Sequence, residues 1–524
     1  MNHDDSQPRT IADITAHQVA RRPDHVAINC EGRETTYLRL HEESNRTANA
    51  LRAAGLPTGA RVAYLGRESE HYYEIAIGCA KSGTVLVPVN WRLTPEEVEH
   101  ILRDSHTELI FVEREFAEVV ERIRPDLPRP LAVIALDTAD RRAAGFLAWK
   151  ADQPDTCPEQ TTGPPDPFAQ VYTSGTTGLP KGVVLSNGCF FALRDMMRAG
   201  GLDWVDWRAD DVSLIGLPGL NIAGLSWSMQ GFTAGVTNVV MRMFAGQEAV
   251  RLTRTLGITT TYIAPAMLQM MLAEPGVTRE TFASLRKVCY GASPISGALL
   301  AHCLDMIGAD FVQVYAASET GNAVTLLPPA EHVPGNHRLA STGTAIPGVE
   351  LKIVGDDGRV LPAGEAGRIC IRTPAAMLGY WQRPEETART LVDGWLHMGD
   401  AGYLDEDGYL YLCDRIDDTI IVAGQNVYPA EVENAIGNHP AVADVAVIGV
   451  PHERWGEAIH ACVVVRPGHT VRPRELVLSL KSQLAGFKIP TRYDFVDSLP
   501  RNPTGKIVRR SLRERYRQNA EEKK

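Results

Sequence analysis

No apolar run in this 524-residue chain is long enough to cross a bilayer, which takes about 20 residues as a helix. The first residues, Met1-Asn2-His3-Asp4-Asp5-Ser6, lack the basic and apolar regions of a secretory signal. The last, Glu522-Lys523-Lys524, are not a peroxisomal address. Positive charge is in deficit: 53 Lys and Arg stand against 64 Asp and Glu, for a net charge of −11, so nothing global favours a nucleic-acid partner. The nine cysteines (Cys30, Cys79, Cys157, Cys189, Cys289, Cys303, Cys370, Cys413 and Cys462) include no C-x-x-C pair, so neither a zinc site nor a redox dithiol is indicated. Their odd number in a large chain fits reduced thiols in a cytoplasm, most of them as small buried hydrophobes. Internal repeats and low-complexity tracts are also lacking.

What is present is ordinary globular composition, 44% hydrophobic and 22% charged, in a chain too long for one core. Helical and β-branched segments alternate, which predicts α/β layers. Helices are expected over Leu38–Ala54, Glu70–Lys81 and Pro95–Arg103, the last capped by Thr94 with Pro95 in its first turn. Strands are expected at Arg61–Leu65, Val85–Val89 and Leu109–Val112. Residues Thr156–Pro167, rich in Pro, Thr and Asp, read as a surface connector. Tyr403-Leu404, a turn at Asp405–Gly408 and Tyr409–Leu412 read as a hairpin, after which a charged cluster at Asp414–Asp418 opens a new α/β unit. That unit has helices at Pro429–Gly437 and Arg474–Leu484 and strands at Ala443–Gly449 and Ile459–Val465. The expected division is a large, multi-subdomain N-terminal part, 1–414, and a small mobile α/β C-terminal domain, 415–524. The charged tail Arg515–Lys524 reads as frayed or disordered.

The most informative segment is Tyr172-Thr173-Ser174-Gly175-Thr176-Thr177-Gly178-Leu179-Pro180-Lys181-Gly182. Glycines admit close approach of backbone to ligand, and successive free N–H groups form an anion-binding nest. The hydroxyls and Lys181 add donors suited to phosphate oxygens. Apolar flanks predict strand, phosphate loop, strand. It is not the G-x-x-x-x-G-K-[ST] loop, because Gly182 follows Lys181.

This string closely resembles the phosphate-binding signature of the acyl-adenylate-forming superfamily, whose members include acyl-CoA synthetases, aryl-CoA ligases, luciferases and peptide-synthetase adenylation domains. The other family motifs follow in order. Tyr315-Ala316-Ala317-Ser318-Glu319 resembles Y-G-x-T-E, with Ala316 in place of glycine and Ser318 in place of threonine. The resemblance implies that Tyr315 stacks on adenine, Ser318 contacts phosphate and Glu319 holds Mg²⁺, a hard cation that suits a carboxylate beside phosphates. Gln313, in the strand before it, joins the implied nucleotide site. Tyr290-Gly291-Ala292-Ser293-Pro294 matches the segment that passes adenine and the acyl carbonyl. Trp395–Asp400 resembles the T-G-D motif, in which Asp400 would accept both ribose hydroxyls; Arg415 would reach ribose or phosphate. Asp417 falls at the family's hinge. Ala423–Pro429 resembles the loop facing the thiol tunnel, with Gly424 and Gln425 expected near coenzyme A and Ala423 and Gln425 departing from the usual residues. Leu499–Lys506 resembles the signature carrying the adenylation lysine, Lys506.

The implied activity is ATP-dependent activation of a small-molecule carboxylic acid as acyl-AMP, followed by transfer to a thiol, with ATP, Mg²⁺ and coenzyme A as the implied cofactors. Leu220 and Asn221 stand where the family often has an aromatic residue and a gating histidine. Asn221, Trp227 and Gly291 are the candidate acyl-pocket residues, and Ile222, Leu225, Met229 and Phe232 suggest an apolar acid. Arg454, Lys488, Arg492, Arg501, Arg509 and Arg510 are candidates for pairing with coenzyme A phosphates. A free-standing chain suits free coenzyme A. Loading of an acyl carrier protein, an aryl-acid ligase and a non-catalytic nucleotide-binding regulator remain as alternatives, and a homo-oligomer stays open.

Overall fold

The computed structural model describes residues 7–136, 145–173, 180–202, 205–355, 357–415, 418, 420–422, 425–452, 455–481, 483–501 and 507–521. Three sheets occupy the N-terminal part. The first has nine strands, whose central six, Val26–Cys30, Thr237–Val240, Val212–Ile215, Thr260–Ile263, Lys287–Gly291 and Asp310–Ala316, run parallel. Antiparallel strands at Ala323–Leu327 and Thr344–Ala345 close one edge and Arg33–Thr36 the other. The second sheet has seven strands and carries the predicted Arg61–Leu65, Val85–Val89 and Leu109–Val112 in parallel register. The third is a small antiparallel sheet around Trp395–Leu404, which pairs with Gly367–Arg372 and Leu410–Arg415. The predicted hairpin is the last of these pairings.

Local chemistry sets the element ends. Thr94 and Glu97 form a reciprocal capping box at the head of Pro95–Asp104. Thr36 caps Tyr37–Ala53 by accepting from the Arg39 N–H. Seven of the nine cysteines are buried and all are free thiols, with only Cys157 fully exposed.

The C-terminal part has its own five-stranded sheet and its own cores, one around Ile420, Val432, Val447 and Leu476, the other around Ile448, Cys462, Leu499 and Leu512. Two expectations are corrected here. The helix expected to reach Leu484 ends at Leu480, where the Gln483 N–H bonds back to the Leu480 carbonyl in a tighter turn. The tail is not frayed from Arg515: Arg509–Glu521 is a helix. Leu512 packs in the second core, and Arg509 and Arg513 both reach Asp418 while Arg509 also chelates Glu433.

The helix Ile222–Ala234 matters most for the site. It starts directly after Leu217–Asn221, and the two segments touch so closely that a Cβ on Gly224 would lie 2.2 Å from the Leu217 and Pro218 carbonyl oxygens. Gly224→Ala is expected to lower the thermal midpoint, with a cost of about 1–3 kcal/mol. A midpoint equal to wild type would show that this contact relaxes freely.

Candidate active site

The strand Asp310–Ala316 organises the site. It ends at the carboxyl edge of a parallel sheet, where open α/β folds place ligands. Its side chains alternate between faces. Tyr315 is buried and donates its hydroxyl proton to Asp400 Oδ2 at 2.7 Å. Asp400 lies opposite Arg415 in the ladder between Trp395–Leu404 and Leu410–Arg415. The ring of Tyr315, the carboxylate of Asp400 and the chain at Arg415 therefore meet. Gln313, two residues before Tyr315 and buried, accepts from Tyr290 Oη at 3.4 Å.

The turn after the strand carries Ser318 and Glu319. It is pinned by the Gly321 N–H on the Ser318 carbonyl at 3.1 Å and by the Met377 N–H on the Glu319 carbonyl at 2.9 Å. Glu319 Oε1 accepts from Tyr380 Oη at 2.8 Å. Burial and the neighbouring Glu319 charge raise the Tyr380 phenol well above its ordinary value, so it stays protonated and donates.

The phosphate-loop motif is a hairpin, as expected: Pro167–Thr173 and Lys181–Ser186 are antiparallel, with Thr173 opposite Lys181. Ser174, Gly175, Thr176, Thr177 and Gly178 lie outside the described residues, as do Asp417, Gly424 and Lys506. Lys181 forms an ion pair with Glu386 and its Nζ lies 5.6 Å from the centre of the Tyr380 ring. The Lys181 hydrogen bond holds the Glu386 carboxyl below the usual carboxylate range. Lys181, Tyr380 and Glu319 thus form one continuous chain of contacts. The strand Gly379–Tyr380, which brings Tyr380 there, pairs with Lys181–Ser186.

Gly291 is where close approach was expected: a Cβ on it would lie 2.4 Å from the Val314 carbonyl oxygen. Ala292 beside it adopts a left-handed φ of 65°, uncommon for a residue with a side chain and a mark of a constrained segment. Ser293 is half-buried in the same segment.

On the far side of the strand lies a small, partly open cleft. Val314 and Ala316 form one wall, and Ile222, Ala223 and Trp227 of the helix form the other. Trp227 lines it, whereas Asn221, which precedes the helix, and Gly291 are not among the lining residues. Ala316, where the resemblance expects glycine, is one of the lining residues.

Lys488 is bound to both oxygens of Glu431 at 2.7 Å. Arg501 pairs with Asp444, Arg509 with Glu433 and Arg510 with Glu514, and Arg492 donates to Tyr516 Oη at 2.6 Å. Arg454 and the Gln425 side chain lie outside what is described.

Sequence reasoning missed Tyr380 and Glu386, which lie far from their partners in the chain and carry no local signal. It also missed the support of the segment before the Ile222–Ala234 helix. Tyr72 Oη donates to the Gly219 carbonyl at 2.5 Å, and Tyr73 Oη donates to the buried Glu68. Burial pushes the Glu68 carboxyl up from 4.5 to about 7, against the lowering effect of hydrogen bonds from Tyr73 and the Gly219 N–H.

Two family models match the chain, "AMP-binding enzyme" over residues 15–381 and "AMP-binding enzyme C-terminal domain" over residues 431–506. The chain is 56% identical over 511 residues to a fatty acid–[acyl-carrier-protein] ligase, ScoC, of Streptomyces coeruleorubidus, covering 97% of each. It is 35% identical to a feruloyl-CoA synthase of an Amycolatopsis species, covering 94% of this chain and 96% of that one. Among solved structures, an anthranilate CoA ligase, AuaEII, in complex with anthranoyl-AMP superposes with a TM-score of 0.90 at 27% identity, over 98% of this chain and 99% of that one. ATP-bound MatB from Rhodopseudomonas palustris gives 0.87 at 29% identity, over 96% and 99%. The chain belongs to the AMP-binding enzyme family, and with it to the AMP-forming acid–thiol ligases.

The Glu68 carboxyl sets a pH signature. Its folded-state pKa lies above the unfolded one, so its contribution is full below about 4.5 and is lost as pH rises through about 7. The stability advantage of wild type over Glu68→Gln should shrink between pH 5 and pH 8, by on the order of 2–3 kcal/mol. Thermal melts across that range check it; a constant difference would contradict the buried, protonated carboxyl.

Proposed function

We propose that the chain activates a hydrophobic carboxylic acid with ATP and then passes the acyl group to a thiol. The observation that carries this is the division of the Asp310–Ala316 strand: Tyr315 bonds Asp400 on one face, while Val314 and Ala316 wall an apolar cleft on the other. An adenosine held at Tyr315 and Asp400 and an acyl group in the cleft would meet at the end of that strand.

A carboxylate lacks a leaving group that a thiol can displace. In the first step its oxygen attacks the α-phosphorus of ATP, the P–O bond to the β-phosphate breaks, and pyrophosphate leaves. Ser174–Gly178, Ser318 and Lys181 would hold the phosphates, and Thr173 would anchor the loop. Asp400 would accept the ribose hydroxyls and Arg415 would pair with ribose or phosphate. Lys506 would bridge the acid carboxylate and the α-phosphate, which stabilises charge as it develops and fixes the angle of attack. Glu319 fits a hard divalent cation such as Mg²⁺: Oε1 accepts from Tyr380, and among the described residues Oε2 has no hydrogen-bond partner. Such a cation would offset charge on the departing pyrophosphate. In the second step a thiolate attacks the acyl carbonyl, the C–O bond to AMP breaks, and AMP leaves. Both steps use the same carbon, so the domain 415–524 would turn about Asp417 to exchange Lys506 for the face bearing Gly424 and Gln425. The setting is a cytoplasm, to judge from the free thiols.

For the thiol, the 56% identity to a fatty acid–[acyl-carrier-protein] ligase favours the pantetheine arm of a carrier protein. That relative and this chain match over 97% of each. Free coenzyme A is the second reading, supported by the 35% identity to a feruloyl-CoA synthase. Lys488 is then available only by releasing Glu431.

Purified chain given ATP, an acid and either holo-carrier protein or coenzyme A should form thioester at least about tenfold faster with the carrier protein, a difference of about 1.4 kcal/mol in transition-state binding. The reverse preference would restore coenzyme A as the acceptor. Lys506→Ala should slow acid-dependent pyrophosphate release by at least about 100-fold, within the range for loss of one charge-stabilising donor, and leave thiol transfer from supplied acyl-AMP within a few-fold. Equal loss of both half-reactions would contradict the assigned division of labour.

A further inference from the structure

One face of the helix Pro95–Asp104 grips the phosphate hairpin on both sides of its loop. His100 and Asp104 stand one turn apart, so they share that face. His100 Nε2 donates to the Pro180 carbonyl at 2.8 Å; a carbonyl only accepts, so the proton sits on that nitrogen. Asp104 Oδ2 accepts from Tyr172 Oη at 2.7 Å. Pro180 leads into the return strand Lys181–Ser186, and Tyr172 lies in the outgoing strand Pro167–Thr173.

The second oxygen of Asp104 reaches the other wall of the site. Asp104 Oδ1 accepts from Arg383 Nη2 at 3.0 Å, and the Asp104 main-chain carbonyl accepts from Trp381 Nε1 at 3.0 Å. Arg383 Nη1 lies 3.5 Å from Glu386 Oε1, and the other Glu386 oxygen pairs with Lys181. Charges thus alternate in sign from Lys181 through Glu386 and Arg383 to Asp104. The Tyr172 phenol closes the circuit, because Tyr172 pairs across the hairpin with Gly182, the residue after Lys181. Burial and the Asp104 charge raise that phenol above its ordinary value, which keeps it a donor. A further layer stiffens it. Gln170 Nε2 donates to Tyr172 Oη at 2.9 Å, Arg61 Nε donates to Gln170 Oε1 at 3.1 Å, and the Arg61 guanidinium lies 3.5 Å from the centre of the Trp381 ring. Glycine at 182 admits this layer: a Cβ there would lie 2.7 Å from Gln170 Nε2.

We propose that Asp104 is a positioning residue for the triphosphate: it joins the two strands of the phosphate hairpin to the segment bearing Tyr380 and Glu386, and so sets where Lys181 stands. A carboxylate by itself repels phosphate. Its effect on ATP therefore runs through Tyr172 and, by way of Arg383 and Glu386, through Lys181. The role presupposes that the hairpin seats ATP phosphates, as in the adenylation reading above, and names a residue that this reading does not include.

Equilibrium dialysis of the full chain with Mg-ATP and, separately, with AMP tests it. AMP lacks the β- and γ-phosphates that the hairpin would hold, so it reports general loosening of the fold. Asp104→Asn keeps the shape and removes the charge. It should raise the ratio of the ATP Kd to the AMP Kd at least about tenfold, with the AMP Kd within about twofold of wild type. Tyr172→Phe deletes one hydroxyl and should move the ratio the same way, by at least about threefold. Both changes break the same bond, so the double variant should stay within about twofold of Asp104→Asn alone. Where a melting curve shows Asp104→Asn unfolded, Tyr172→Phe decides. An unmoved ratio in a folded variant, equal weakening of ATP and AMP, or additive effects in the double variant would overturn the role. Acid-dependent pyrophosphate release by wild type separates the two readings. Release with an unmoved ratio rejects the positioning role alone. A raised ratio in a chain that releases pyrophosphate with no acid upholds the role and rejects adenylation.

Discussion

The two-residue period of a single strand, Asp310–Ala316, keeps a polar and an apolar chemistry within a few ångströms of each other without mixing them. Tyr315 faces Asp400 at 2.7 Å, while Val314 and Ala316 face a cleft of apolar character. A one-residue slip of this strand would exchange the two faces. Register is therefore the constraint to which the rest of the site answers. Parallel pairing with Lys287–Gly291 fixes it on one side, and antiparallel pairing with Ala323–Leu327 on the other. The irregularity between Tyr315 and Ala316 falls where the strand gives way to the Ser318–Glu319 turn.

The second sheet supplies the remaining polar groups through a different route. Lys181 starts the return strand of the phosphate hairpin, and the short strand Gly379–Tyr380 pairs with that same strand. One sheet edge thus delivers both the cation and the phenol that orients Glu319. The Glu386 carboxylate and the Tyr380 ring restrict where the long Lys181 side chain can lie.

Much of this was legible in the sequence, for a physical reason. Strands such as Arg61–Leu65 and Val85–Val89 matched because short β-branched runs between helices have few other solutions. The Thr94 cap matched because its capping box is a local event. Motif residues Tyr315, Asp400, Glu319 and Lys181 carry their chemistry in their own side chains, so a string of letters exposes them. Tyr380 and Glu386 were invisible because their roles arise from pairings about 60 and 200 residues away in the chain, which no local period encodes. The helix Arg509–Glu521 was not foreseen because the charge of the Arg515–Lys524 tail alone suggested solvation. Ala316, which stands in place of glycine, lines the cleft.

The most direct measurement is a crystal structure with a non-hydrolysable acyl-sulfamoyl adenosine carrying a six-carbon acyl group. The account predicts the ribose hydroxyls on Asp400, the adenine against Tyr315, and the acyl chain between Ala316 and Trp227 on the opposite face of the same strand. An acyl chain lodged elsewhere while the adenosine sits on Asp400, or an adenosine away from Tyr315 and Asp400, would contradict it.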